Sequence, residues 1–262
     1  MSDPSSNDSL ACQCSLKGRT ALVTGSTTGL GKAMAMSLGA AGAKVAMNFA
    51  HNTDRAERAF DEFQRAGYEG ALVRGSVIDE KEVGSIFRQA ESEIGPIDIV
   101  VVNATPDQPQ CPIEEYDWAF YQEMLDFFVK SPYLLARRAL PHMKEQRWGR
   151  FINIGSEVVS RGVPNFSAYV AAKGAQDGWT RSMATELAPF NITVNILCPG
   201  WIPVERHESD PQDLKDGYRA LIPMDRWGVP EDIGGAVTFF ASDAAGFITG
   251  QSVCVNGGMT VG

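Results

Sequence analysis

Histidine is scarce in this chain: three in 262 residues, at positions 51, 142 and 207, too far apart to suggest a metal cluster. Cysteine is almost as sparse. The five, at 12, 14, 111, 198 and 254, are odd in number and lack zinc-finger spacing, which fits free thiols in a reducing compartment rather than a disulfide framework. Cys12 and Cys14 stand close enough to bind a metal in principle, but no histidine lies near to complete the set, and no metal is expected. Long apolar runs are missing too. The longest strand-like one covers residues 97–102, far short of the roughly 18 residues of a membrane span, so no membrane is expected.

Positive charge is in deficit. With 23 Lys and Arg against 32 Asp and Glu, the net charge is −9, which argues against nucleic acid or an anionic membrane as partner. It weighs mildly against an acidic carrier protein as substrate donor as well. Residues 1–15 are rich in Ser, Asp and Asn, with neither a basic start nor an apolar stretch, so they read as a disordered polar tail rather than a signal peptide, and the expected location is cytoplasmic.

What the chain does contain is a steady alternation of strand-like and helix-like segments without repeats or a long linker. Strands are expected at 20–24, 44–48, 71–75, 97–103, 150–154, 193–197 and 252–255, with long helices near 113–146 and 165–188. This pattern implies one α/β domain, residues 16–262, with a parallel sheet of about seven strands and helices on both faces. A chain of this length can bury about 70–75% of its unfolded surface around a single core.

Two motifs carry chemistry. The first is Thr24-Gly25-Ser26-Thr27-Thr28-Gly29-Leu30-Gly31, which follows the apolar run Ala21-Leu22-Val23 and leads into a helical stretch. Strand, glycine turn and helix are the order a dinucleotide site requires: glycines let the backbone approach a pyrophosphate, and the helix N-terminus offers free N–H groups and a positive dipole end. The second is Tyr169-Val170-Ala171-Ala172-Lys173, with Ser156 thirteen residues upstream of the tyrosine. A spacing of four places phenol and ammonium on one helix face. A free phenol ionises near pH ~10, and a neighbouring ammonium is expected to favour the phenolate, making Tyr169 a usable proton donor and acceptor. A serine hydroxyl at a neighbouring strand end could then hold the carbonyl oxygen that receives hydride.

With both motifs in place, the chain from about residue 16 to 258 resembles the short-chain dehydrogenase/reductase family, including its 3-oxoacyl-carrier-protein reductase-like and sugar or polyol dehydrogenase-like members. Gly25, Gly29 and Gly31 match the family's cofactor turn, and Asn103-Ala104 matches part of its Asn-Asn-Ala-Gly strand end. Ser156, Tyr169 and Lys173 match its catalytic set. Pro199-Gly200 matches the segment beside the nicotinamide, and 248–258 its C-terminal strand and turn. The resemblance implies a Rossmann-like doubly wound sheet and an NAD(P)-dependent oxidoreductase acting on a carbonyl or a secondary alcohol. The cofactor would lie against Gly25, Ser26, Thr28, Gly29, Leu30 and Gly31, then Asn48, His51 and Asn52. It would continue past Ser76, Val77, Asn103 and Ala104 to Tyr169, Lys173, Pro199, Gly200 and Ile202. A homotetramer is implied too. The helix around Phe120, Met124, Phe127, Phe128 and Leu134 has bulky apolar residues on more than one face, a surplus that a partner copy would cover.

Three positions depart from the family pattern. Ser76 stands where relatives carry an acid that meets adenine, Thr105 followed by Pro106 replaces a glycine, and Phe128 replaces the helix asparagine. A second class therefore stays open: a nicotinamide-binding protein of the same fold with little or no turnover. NADP(H) is favoured over NAD(H), because the stretch 48–52 has no acid to repel a 2′-phosphate and Arg55 is near, although Thr28 stands where many NADP users carry arginine. Residues 201–224, broken by Pro203, Pro211, Gly217 and Pro223, read as a lid over the substrate. Val158, Phe166, Trp201 and His207 are the candidate pocket residues.

Overall fold

A computed structural model describes residues 13–261. Seven parallel strands form one sheet: β1 (Thr20–Val23), β2 (Lys44–Phe49), β3 (Gly70–Arg74), β4 (Ile99–Val102), β5 (Gly149–Ile154), β6 (Ile192–Pro199) and β7 (Ser252–Val255). Their order is β3-β2-β1-β4-β5-β6-β7, so the winding reverses between β1 and β4. Each strand lies within three residues of where its run of β-branched and apolar side chains places it. In β1, β4, β5 and β6 every residue is buried, as a sheet covered on both faces requires.

Helices α1 (Gly29–Ala40) and α2 (Thr53–Arg65) cover one face together with α9 (Pro230–Ala241). The opposite face is covered by α3 (Glu80–Ile94), α5 (Ser131–Gln146) and α7 (Ser167–Leu187). Two shorter helices, α6 (Val158–Arg161) and α8 (Gln212–Arg219), lie outside these layers. The polar tail expected at 1–15 falls almost wholly outside the described residues, as does Cys12.

The long helix expected over 113–146 is not continuous. A 3₁₀ turn at Ile113–Glu115 precedes α4 (Trp118–Leu125), and a π-turn at Asp126–Lys130 joins α4 to α5. The apolar surplus read from this stretch is absorbed inside the molecule. Met124 and Phe128 pack with Phe166, Ala168, Tyr169 and Ala172, while Leu134 joins the sheet core and Phe127 bridges the two. The expectation that this surplus needs a partner copy is thereby corrected: the π-turn points neighbouring side chains at two different cores. What remains exposed along the stretch is Ile113, Trp118 and Tyr133.

Candidate active site

Open parallel sheets bind ligands where the winding reverses, beyond the carboxyl ends of the strands. The turn after β1 lies there, and its conformation depends on glycine at two points. Gly25 has φ +61°, and a Cβ on it would come within 2.9 Å of the Ala104 backbone; a Cβ on Gly31 would come within 2.3 Å of the Gly25 carbonyl oxygen. Several side chains expected at a cofactor are used to hold this turn. Asn103 Nδ2 donates to the carbonyls of Thr24 and Gly25 at 2.9 and 3.1 Å. Buried Asn48 accepts from Gly25 N–H and donates to the Gly75 carbonyl, and buried Ser26 donates to the Val23 carbonyl while accepting Asn48 N–H. Asn52 caps α2 by accepting from Arg55 N–H, and the Val77 side chain lies in the core. Asn48, Ser26, Asn52 and Val77 thus use their side chains to shape the backbone and core, while Asn103 both holds the turn and lines the neighbouring cleft. His51 is exposed at its rim, and Ser76 N–H donates to Glu82 Oε2 at 2.7 Å.

The N-terminus of α1 can hold an anion, because one is held there already. Glu205, from the segment after β6, accepts from Gly29 N–H at 3.2 Å and from the Thr28 hydroxyl at 3.4 Å. A carboxylate at the free N–H groups of a helix start stands in for the phosphate that such a turn can cradle.

Ser156, Tyr169 and Lys173 come together in a neighbouring cleft of about 880 Å³, which Leu30, Asn103, Pro199, Gly200 and Ile202 also line. All four pocket residues read from the sequence, Val158, Phe166, Trp201 and His207, line it too. Ser156 follows β5, and Tyr169 and Lys173 lie on the buried face of α7. Lys173 Nζ donates to the Ile154 carbonyl at 2.6 Å and to Gln176 Oε1 at 3.2 Å, and lies 3.7 Å from the centre of the Phe128 ring. Gln176 leads on to Asn153, which donates to Thr180 Oγ1 at 2.9 Å.

This setting corrects the expectation that Lys173 lowers the tyrosine pKa. Among the described residues no carboxylate meets the ammonium; its neighbours are two neutral oxygens and an aromatic face, so burial pulls Lys173 down to about 7. Burial likewise pushes Tyr169 up to about 12, with Ser156 the largest opposing influence. Desolvation outweighs the pairing that the spacing of four suggested.

The segment 201–224 roofs the cleft and is fastened to the strand end below it. Tyr218 Oη on α8 accepts from Trp201 N–H at 2.6 Å and donates to Glu157 Oε1 at 2.6 Å. Glu157, buried beside Ser156, also accepts from Arg161 at 2.8 Å and from Asn256 at 2.9 Å. Sequence reasoning passed over Glu157, Gln176, Glu205 and Tyr218. Only Gln176, three residues beyond Lys173 on one helix face, carries a spacing that could have found it.

Residues 25–260 match the family described as enoyl-(acyl carrier protein) reductase. The chain is 36% identical over 243 residues to a 3-oxoacyl-[acyl-carrier-protein] reductase of Staphylococcus aureus, covering 92% of this chain and 98% of that one. It is likewise 36% identical over 247 residues to a 2-dehydro-3-deoxy-D-gluconate 5-dehydrogenase of Formosa agariphila, covering 93% of each. Among solved structures, a 3-oxoacyl (acyl-carrier-protein) reductase of Agrobacterium tumefaciens with NADP bound superposes with a TM-score of 0.89 at 31% identity, over 98% of this chain and 100% of that one.

Proposed function

The chain belongs to the short-chain dehydrogenase/reductase family, and from that premise we propose how its cleft divides the work of an NAD(P)-dependent oxidoreductase that interconverts a carbonyl and a secondary alcohol. The nicotinamide cofactor, when bound, supplies or accepts the hydride. The glycine turn fits such a group, since the start of α1 already holds the Glu205 carboxylate where a phosphate would lie. Tyr169 exchanges a proton with the substrate oxygen, and Ser156 hydrogen-bonds that oxygen as charge develops on it. Lys173 is set to hold the nicotinamide ribose, and with Gln176 it links the cleft to a buried polar chain.

The observation that carries this reading is the convergence of Ser156, Tyr169 and Lys173 on one cleft that runs into the glycine-turn crevice. Replacing Tyr169 by Phe tests it: turnover should fall by about 10²–10⁴-fold with cofactor affinity nearly unchanged. A near-native rate would favour the second reading, a cofactor-binding protein with little turnover, for which the uncharged Phe128 ring against Lys173 speaks.

The preference for NADP(H) is supported by the lack of an acid at 48–52 and by Arg74, whose Nε donates to the Ala50 carbonyl at the end of β2. Clearly tighter NAD(H) binding would overturn it. The segment 201–224 acts as the lid, Trp118 and Tyr133 lie in a homotetramer interface, and the site of action is cytoplasmic. Light scattering that gives the mass of a single chain would refute the assembly.

A further inference from the structure

Two arginines enter the cleft, and they differ in how their charge is answered. Arg161 donates to buried Glu157 at 2.8 Å. Among the described residues, arginine ion pairs involve Arg65, Arg137, Arg150, Arg161, Arg181, Arg219 and Arg226, and Arg206 is in none of them. Arg206 nevertheless lines the same cleft as Ser156, Tyr169 and Lys173. Arg206 is exposed on its outer side, and its charge is a lesser influence, behind burial, on both the Tyr169 phenol and the Lys173 amine.

The polar neighbour of Arg206 is a poor match. Arg206 Nε lies 3.1 Å from His207 Nε2, while His207 Nδ1 accepts from Val204 N–H at 3.1 Å. Burial and the Arg206 charge both hold His207 towards its neutral form, and a neutral imidazole has one N–H. With Nδ1 accepting, that hydrogen is on Nε2. Two donors, one of them charged, then converge without an acceptor between them. The alternative tautomer satisfies Arg206 only by stranding the Val204 N–H.

An anionic oxygen resolves the conflict, since it accepts from both groups and answers the guanidinium charge. We propose that Arg206, assisted by His207 Nε2–H, is the specificity group for a small substrate bearing a carboxylate, a keto or hydroxy sugar acid rather than an acyl thioester. This rests on the cleft being the oxidoreductase site. The neutral chain of an acyl thioester would leave Arg206 unanswered, and the net charge of −9 repels an acidic carrier.

The test compares 5-keto-D-gluconate with L-sorbose, the same ketose with a hydroxymethyl in place of the carboxylate, using NADPH and the intact protein. We expect kcat/KM to favour the acid in the native protein. In Arg206→Gln that preference should shrink by about 10–100-fold, mainly through KM, with Arg206→Lys intermediate. An unchanged preference overturns the proposal. So does a weaker NADPH dissociation constant as the main effect of Arg206→Gln, since Arg206 would then meet the cofactor. Protection of the NADPH complex against thermal unfolding by D-gluconate, read in parallel, separates the two readings. If neither ketose is reduced but Arg206→Gln abolishes the protection, the anion site stands and the oxidoreductase reading fails; if ketones are reduced and D-gluconate protects both proteins equally, the anion site fails alone.

Discussion

Replacing Phe128 by Asn introduces the residue type that the family resemblance implies at this point, and the structure sets what the exchange should do. Phe128 is 1% exposed, its ring lies 3.7 Å from Lys173 Nζ, and it meets the Tyr169 ring edge-on at 5.4 Å. Truncating a buried phenylalanine costs about 3–5 kcal/mol, of which the smaller asparagine recovers part by filling space. The amide must also leave water, at about 1–3 kcal/mol for a group left unpaired. Against this, the amide oxygen can accept from Lys173. That bond and the cation–π contact it replaces are each about 2 kcal/mol, so they nearly cancel.

The expected net destabilisation is about 2–4 kcal/mol, or a fall in Tm of roughly 5–15 °C for a domain of this size. Lys173 should titrate higher, because a dipole now faces its ammonium, and a proton path out of the cleft should open. Turnover should rise, and a solvent isotope effect on kcat in the native protein should shrink in the variant. Thermal melts and kcat in light and heavy water check both halves. An unchanged Tm would refute the packing account. A stable variant with unchanged turnover, from a native protein without an isotope effect, would refute the proton path.

Removing the Tyr218 hydroxyl with Phe unfastens the segment 201–224 from Glu157 and takes the acceptor from the Trp201 N–H, while Arg161 and Asn256 still answer the Glu157 carboxylate, so stability should fall by about 1–3 kcal/mol and KM should rise more than kcat falls; equal loss in both would place the defect in the chemistry instead. Glu205→Gln removes a charge that competes for the start of α1, and cofactor titration should show a dissociation constant about 2–5-fold lower, whereas weaker binding would mean that Glu205 assists the cofactor. Lys173 titrates at about 7 in the folded chain against a usual 10.5, so the unfolded chain binds more protons between those values and stability gains as pH rises through that window. Lys173→Met should therefore be most stabilising, relative to the native protein, below pH 7, with the gain fading towards pH 10.5; melts at pH 6 and 9 showing equal differences would contradict the assignment.

The sheet was legible because its strands are short runs of valine, isoleucine and leucine bounded by glycine and polar turns. The position of Ser156, Tyr169 and Lys173 was legible because helix periodicity and strand ends fix direction. Their protonation was not, since spacing says which groups meet but burial decides which charges survive. Asn48 and Asn103 were read as ligand groups, yet a polar side chain at a strand end serves equally to satisfy the backbone of a tight turn. The broken helix at 126–130 left no trace either, because Phe127 and Phe128 continue an apolar pattern that an unbroken helix would also show.

That break constrains the length of the chain more than its composition. The π-turn at Asp126–Lys130 accommodates one residue more than an α-turn would. Loss of any single residue there would let the helix run on with its backbone bonds intact. The residues left would turn through about the same angle as the π-turn does now, so α4 and α5 would keep their relative orientation and Met124 and Leu134 their separate cores. What would change is which side chains the turn itself presents, and buried Phe128 is one of them. Among descendants of this sequence, a deletion of one codon at 126–130 would therefore reset the wall behind Lys173 without unfolding the helices on either side of it.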